Sequence, residues 1–343
     1  MKLGLQLGSM ATQPPAETAE IVREAERLGF DSMWSAEAYG ADCLTPLGWF
    51  GSATTTLKLG TAVAQISARP PAATAMAAMT LDHLSQGRFQ LGLGVSGPQV
   101  VEGWYGQHFD RPLARTREYV EIVRKIISRK EPVFYDGQFY ELPVRGGTGL
   151  GKSLVSTLHP LREQIPILLG AEGPRNVALA AEIADGWLAA HFSPRASVTY
   201  EQALLEGFGR RPGGRPENFE VAATVPVAID HDIDRARDRI RPHLALYIGG
   251  MGAKDANFHF NVYARMGFEE ACMKIQRLYL DGEKRAAASA IPAELIDSVA
   301  LVGPIEKIRD DLGSWMQTPI TTLLIKGDKG VLRSMADAIS QAG

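Results

Sequence analysis

The residues best placed to do chemistry lie in the turn Gly170-Ala171-Glu172-Gly173 and in its two successors, Pro174 and Arg175. The apolar run Ile165–Leu169 ends at this turn. Pro174 stands where a first-turn proline pre-sets φ and gives up only a donor that a helix cannot use. Backbone N–H groups left free at such a helix start, together with the positive end of its dipole, favour an anion such as a phosphate. Taken alone, the turn also fits glycines that merely reverse the chain.

Two further glycine patterns invite a nucleotide reading and fail on context. Gly92 to Gly97 fits G-x-G-x-x-G, but no helix starts promptly after it and no convincing ribose-binding acid lies downstream. Gly146 to Ser153, GGTGLGKS, fits the phosphate-loop pattern, yet only ELPVR precedes it and Pro160 interrupts the segment after it. GGTGLGKS is expected to be a flexible loop. The 7 histidines are scattered, with no H-E-x-x-H or paired C-x-x-C, so no metal site is predicted. No G-x-S-x-G elbow supports a serine triad. His191 comes directly after a short strand, Trp187–Ala190, and is expected to line a site. Glu37, at the end of Ser32–Glu37, is a candidate general acid or base if burial shifts its proton affinity; a solvated carboxylate is the plainer alternative. Cys43 and Cys272 lack ligand spacing and are expected to be inert.

Positioning these residues requires a regular scaffold. Strands are predicted at 2–8, 32–37, 57–66, 89–95, 165–169, 187–190, 219–229 and 320–326. Helices at 18–28, 45–56, 71–86, 112–129, 174–184, 200–208, 233–248 and 331–339 alternate with them. Eight such units predict an α/β fold, a (β/α)8 TIM barrel forming one domain over residues 1–343. Two insertions carry the surplus length. The first, about 130–164, holds a β-hairpin in VFYDGQFY around Asp136-Gly137, and the second, about 249–319, is helical and precedes the last strand. Barrel chemistry sits at the C-terminal strand ends, here Gln6, Glu37, Ala64, Ser96, Gly170, His191, Ala228 and Gly327.

With 343 residues, 45% hydrophobic and 22% charged, the composition is that of an ordinary folded protein. A formal net charge of −3 gives no global attraction to nucleic acid or to anionic membrane. The start at Met1 lacks a long apolar segment and no run reaches membrane-span length, so a cytoplasmic protein is expected.

Several segments together resemble the bacterial luciferase-like flavin and deazaflavin oxidoreductases. They are GFDSMW at 29–34, LGTAVAQI at 59–66, LDHLSQGRFQLGLGVSGPQVVEGW at 81–104, RTREYVEIVR at 115–124, YDGQFY, GTGLGKS and GAEGPRNVALAAEIADGW at 170–187. SGPQVVEGW and GAEGP are similar to the branch that uses coenzyme F420, an 8-hydroxy-5-deazaflavin, in place of FMN. The resemblance implies hydride transfer between the deazaflavin C5 and a small organic substrate. It also implies a bulge near the end of the third strand behind the ring, often with a non-proline cis peptide; that would fall at Ala62-Val63, beside Ala64. The phosphate would be held by Ser96, Gly97 and Gln99 with Gly170, Ala171, Glu172, Gly173, Pro174 and Arg175, and Arg175 and Lys152 would face the coenzyme's phosphate and acidic tail. Gln6 would also contact the cofactor. Glu37, Tyr39 or His191 would move a proton, and Trp104 and Phe260 would wall the substrate pocket. A homodimer through the second and third helices is implied. Two departures stand out: Ala36-Glu37-Ala38 replaces the Ser-Asp-His of the sugar-phosphate dehydrogenases, and Gly97-Pro98 replaces their Gly-Glu. That substrate is not expected. The rival readings are an FMN-dependent monooxygenase and a flavin- or deazaflavin-binding barrel without catalysis.

Overall fold

The computed structural model describes residues 1–8, 15–252 and 257–342. Its centre is a parallel barrel of β1 (Lys2–Gln6), β2 (Ser32–Ser35), β3 (Lys58–Thr61), β4 (Phe89–Gly94), β5 (Ile167–Ala171), β6 (Gly186–Ala189), β7 (Glu220–Thr224) and β8 (Thr322–Ile325). The strands run in the order β3-β2-β1-β8-β7-β6-β5-β4, and pairing of β3 with β4 closes the ring. The expected (β/α)8 barrel is therefore the observed fold. Its outer helices are α1 (Pro15–Arg27), α2 (Thr45–Gly51), α3 (Pro71–Leu84), α4 (Pro112–Ser128), α5 (Pro174–Ile183), α6 (Ser197–Arg210), α7 (Ile305–Met316) and α8 (Lys329–Ala342). No helix among the described residues is long and apolar enough to cross a membrane.

The barrel interior is filled by Trp34, Leu168, Leu188, Ala222 and Leu324, with Ala62 and Val63 packed against them. Trp34 has room because Gly60 faces it: a Cβ there would stand 2.2 Å from the indole ring. The indole N–H donates to Ser32 Oγ at 2.8 Å, so its polar atom is satisfied inside. Outside, α5 buries Val177, Ala178, Leu179, Ala180 and Ala181. It lies so close to α6 that a Cβ at Gly207 would meet the Ala178 carbonyl at 2.1 Å.

Three local expectations change. The arms of the hairpin are Tyr135–Asp136 and Glu141–Leu142, and Gly137 N–H donates to the Tyr140 carbonyl, so the reversal spans 137–140 rather than Asp136-Gly137 alone. The Glu118 carboxylate, which accepts from the N–H groups of Gln138, Phe139 and Tyr140, holds this longer turn. The predicted strand 219–229 breaks at Val225-Pro226. Its second part, Val227–Ile229, leaves the barrel and pairs with Leu301–Gly303, which carries Ala228 away from the barrel mouth. Helix Ile233–Gly249 belongs with that pair. It packs with Glu269–Leu280 and Lys284–Ser289 around a second core that includes Ile240, Leu244, Tyr263, Cys272 and Leu295. The inserted module thus begins just after β7, and α7 takes the outer position expected for helix 233–248.

Candidate active site at the barrel mouth

The C-terminal end of β3 carries the expected irregularity. Gly60 pairs with Gln90, whereas the short continuation Ala64–Gln65 pairs Ala64 with Leu93. Four steps on one strand therefore face three on the other, which is a bulge of one residue. The Ala62-Val63 peptide within it is cis. Glycines on the neighbouring strands admit the bulge. A Cβ at Gly92 would lie 1.8 Å from the Thr61 carbonyl, and Cβ atoms at Gly94 and Gly170 would meet Val63 at 2.5 and 2.7 Å. The Gly-Leu-Gly of the apparent nucleotide motif is thus a packing requirement of this bulge. Thr61 Oγ1 locks the contact, donating to the Gly92 carbonyl and accepting from its N–H.

Glu37 supports the same segment. Its N–H donates to the Val63 carbonyl at 3.2 Å, and its carboxylate accepts from the Gln65 N–H at 3.0 Å. Arg69 clamps both carboxylate oxygens at 2.9 and 2.6 Å. The Glu37 side chain is only 4% exposed. A carboxylate committed to three donors has little left for a substrate proton. The structure therefore places Glu37 as a support of the bulge, in place of the expected general acid or base. Arg69, 32 positions along the chain, carried no signal in the sequence.

The two loops beside the bulge leave donors available. Ser96 has φ of 58°, left-handed geometry that a non-glycine residue adopts at a cost and that recurs at functional sites. Gly173 is the N-cap of α5 in extended geometry, and no side chain caps that helix end. Arg175, two residues beyond Gly173, is exposed, as is Lys152 on its separate loop. Gln99 donates from Nε2 to the Met251 carbonyl at 3.3 Å, and the Tyr39 hydroxyl lies 4.0 Å from Met251 Sδ, so the inserted module touches two mouth loops. The Gln6 Oε1 atom, at the end of β1, is buried without a hydrogen-bond partner.

His191 lies at this end too, buried and with φ of 55°. Its Nδ1 is 2.6 Å from the Tyr263 hydroxyl. Its ring stands 4.6 Å from that of Tyr247 and 5.0 Å from that of His259, centroid to centroid. Burial, with His259 and His243 nearby, pushes the His191 imidazole well below its ordinary value, and burial pushes the Tyr263 phenol well above its own. Glu172 turns its carboxylate toward His259, with Oε1 2.7 Å from Nδ1. Its side chain thus faces the histidines, whereas the sequence placed it with the phosphate ligands. The sequence shows no local metal motif, yet Glu172, His191 and His259 bring three ligand-type atoms within 4.8 Å of one another. Successive members are 19 and 68 positions apart in the chain, beyond any local motif. Trp104 is 65% exposed, while Phe260 packs against the second core.

The fold and this mouth define a (β/α)8 barrel with a bulged third strand, two donor-bearing loops and a buried histidine cluster. The chain belongs to the luciferase-like monooxygenase family, which it matches over residues 2–322. A Mycobacterium tuberculosis protein named as a coenzyme F420-dependent oxidoreductase is 54% identical over 329 residues, covering 95% of this chain and 94% of that one. The 5,10-methylenetetrahydromethanopterin reductase of Archaeoglobus fulgidus is 28% identical, with 88% and 87% covered. Among solved structures, the coenzyme F420-dependent tetrahydromethanopterin reductase of Methanopyrus kandleri superposes with a TM-score of 0.83 at 21% identity, covering 100% and 99%. An F420-dependent secondary alcohol dehydrogenase, bound to an F420–acetone adduct, gives 0.80 at 17% identity over 100% and 99%.

Proposed function

We propose that this chain is a coenzyme F420-dependent oxidoreductase that passes a hydride between the deazaflavin C5 and a small organic substrate at the barrel mouth. The observation that carries the reading is the one-residue bulge of β3, admitted by Gly92, Gly94 and Gly170, facing an uncapped helix start. The 54% identical relative supports the choice of coenzyme. When bound, the coenzyme supplies the redox-active carbon. The chain does the rest. Ala62, Val63 and Ala64 back the ring, and Glu37 with Arg69 fixes that backing. Ser96, Gly97, Gln99, Gly170, Ala171, Gly173 and Pro174 surround the phosphate, with free N–H groups and the α5 dipole favouring its charge. Arg175 and Lys152 meet the acidic tail, Gln6 offers a buried acceptor, and Trp104 and Phe260 border the substrate. Tyr39 is the group left to exchange a proton with the substrate, since Glu37 is committed to the bulge and His191 is buried in the histidine cluster. Trp49 on α2 and Met76 and Leu84 on α3 are 70%, 58% and 71% exposed, an apolar face suited to a homodimer.

Titrating coenzyme-free protein with F420 and with FMN tests the reading. Tight F420 and weak FMN binding is expected; FMN binding without F420 binding refutes it and favours the monooxygenase. Arg175→Glu is expected to weaken F420 binding at least 10-fold, and an unchanged affinity would show that the phosphate lies elsewhere.

A further inference from the structure

We propose that Glu172, His191 and His259 form a binding site for a divalent first-row metal ion, zinc in type, held by two imidazole nitrogens and one carboxylate oxygen. The three residues come from separate elements: the loop between β5 and α5, the residue two places beyond β6, and helix Phe258–Tyr263 of the inserted module. Occupation of the site therefore ties the module to the barrel.

Three observations converge on the same point. Glu172 Oε2, His191 Nε2 and His259 Nδ1 are all buried without a hydrogen-bond partner. His259 Nδ1 is 2.7 Å from Glu172 Oε1, an approach that two lone pairs make only with a proton or a cation between them. Buried polar atoms in native proteins nearly always have partners, and one ligand-type atom from each of these residues lies within 4.8 Å of the other two, so one shared partner can serve all three. Glu172 Oε2 offers a lone pair, as does His191 Nε2 when Nδ1 carries the hydrogen, and His259 Nδ1 offers a third when a cation takes the place of its proton.

The spacing also fits. Even if every separation were the full 4.8 Å, a point equidistant from the three atoms would be about 2.8 Å from each. Side-chain rotations moving each atom by less than about 1 Å bring that to the roughly 2.0–2.1 Å of zinc–ligand bonds. With Nε2 on the metal, His191 must carry its hydrogen on Nδ1, where it donates to the Tyr263 hydroxyl oxygen at 2.6 Å. A partner on the second ring nitrogen of this kind orients metal-binding histidines. Tyr247 encloses the site, its ring 4.6 Å from that of His191 and 4.8 Å from that of His259. Arg265, which donates to the Glu172 carbonyl at 3.2 Å, brings a positive charge that opposes the ion and moderates its affinity. Two histidines and one carboxylate leave coordination positions open for water or a substrate oxygen, as catalytic rather than structural sites do.

The test uses the full chain, stripped with a chelator and titrated with zinc chloride against a chromophoric competitor. One equivalent bound at about micromolar affinity or tighter is expected, with a raised melting temperature, since a ligand that binds only the folded state stabilises it. Glu172→Gln, which keeps the shape of the side chain, and His259→Ala should each weaken binding at least 10-fold; His231→Ala, on an exposed histidine, should not. Cobalt added to the stripped protein should give visible d–d absorption that His259→Ala abolishes. Circular dichroism of each variant confirms folding. Absence of stoichiometric binding, or binding that both cluster variants retain, overturns the proposal. Because metal binding is read without coenzyme, this outcome is separate from that of the F420 titration.

Discussion

Replacing Arg69 by Met tests whether the Glu37–Arg69 pair is a support for the β3 bulge. The substitution keeps most of the side-chain volume and removes the charge. Glu37, 4% exposed, would then hold a buried carboxylate with the Gln65 N–H as its remaining described donor. Removing one member of a buried pair costs about 3–5 kcal/mol because the other charge stays uncompensated. Arg69 is itself 20% exposed, so the lower figure applies, about 3 kcal/mol. At about 2.1 cal/mol/K per residue, the unfolding entropy of 343 residues is roughly 0.7 kcal/mol/K, which turns this loss into a drop of about 4 °C. Glu37→Gln combined with Arg69→Met removes both charges while Gln still accepts from the Gln65 N–H. The pair together should cost only about 1 kcal/mol, since replacing a whole buried ion pair is often nearly neutral. Urea unfolding followed by circular dichroism gives the three energies, and F420 titration of the same proteins reports on the bulge. An Arg69→Met variant at least as stable as the double variant would refute the argument.

Further outcomes can be measured on the same protein. Gly92→Ala puts a Cβ 1.8 Å from a backbone carbonyl and should lower stability by about 3 kcal/mol or more, whereas Gly209→Ala, with open space around it, should not destabilise; chemical denaturation checks both. Burial pushes the Cys43 and Cys272 thiols up to about 12, which leaves roughly one thiolate in 10⁵ at pH 7, so neither should react with iodoacetamide until the protein is unfolded. Hydrogen bonds from Arg27 and Arg333 hold the Glu24 carboxyl at about 2, below its ordinary 4.5. Its contribution to stability is present above 4.5 and is lost as pH falls toward 2, so Glu24→Gln should flatten the acid limb of the stability curve. Trp49→Glu should shift the protein to monomer by analytical ultracentrifugation if α2 and α3 form the dimer face.

The barrel was legible because its signals are local. Each strand is a short apolar run, each helix has a three-to-four repeat, and prolines mark helix starts such as those of α3 and α5. The inserted module was harder to bound. Helix Ile233–Gly249 has the pattern of an outer barrel helix, and only its packing against Glu269–Leu280 shows that it belongs elsewhere. Pairwise geometry was out of reach for a similar reason. Glu37 at a strand end reads as a free acid until Arg69 is seen across the bulge, and Glu172 reads as part of an anion loop until His259 arrives from 87 positions away.

The glycines show how one observation serves both fold and chemistry. Gly92 and Gly94 lie in a pattern that suggests a phosphate loop, yet the space of their absent side chains is occupied by Thr61 and Val63. Gly170 shares this duty: its missing Cβ leaves room for Val63, while its chain neighbours continue into the uncapped start of α5. Val63 therefore joins the two halves of the mouth, touching β4 through Gly94 and β5 through Gly170. A side chain at Gly170 must displace Val63, whose Cγ1 would lie 2.7 Å from the new Cβ. Loss of coenzyme affinity in such a variant would thus result from displaced geometry, even with every N–H of the α5 turn still present.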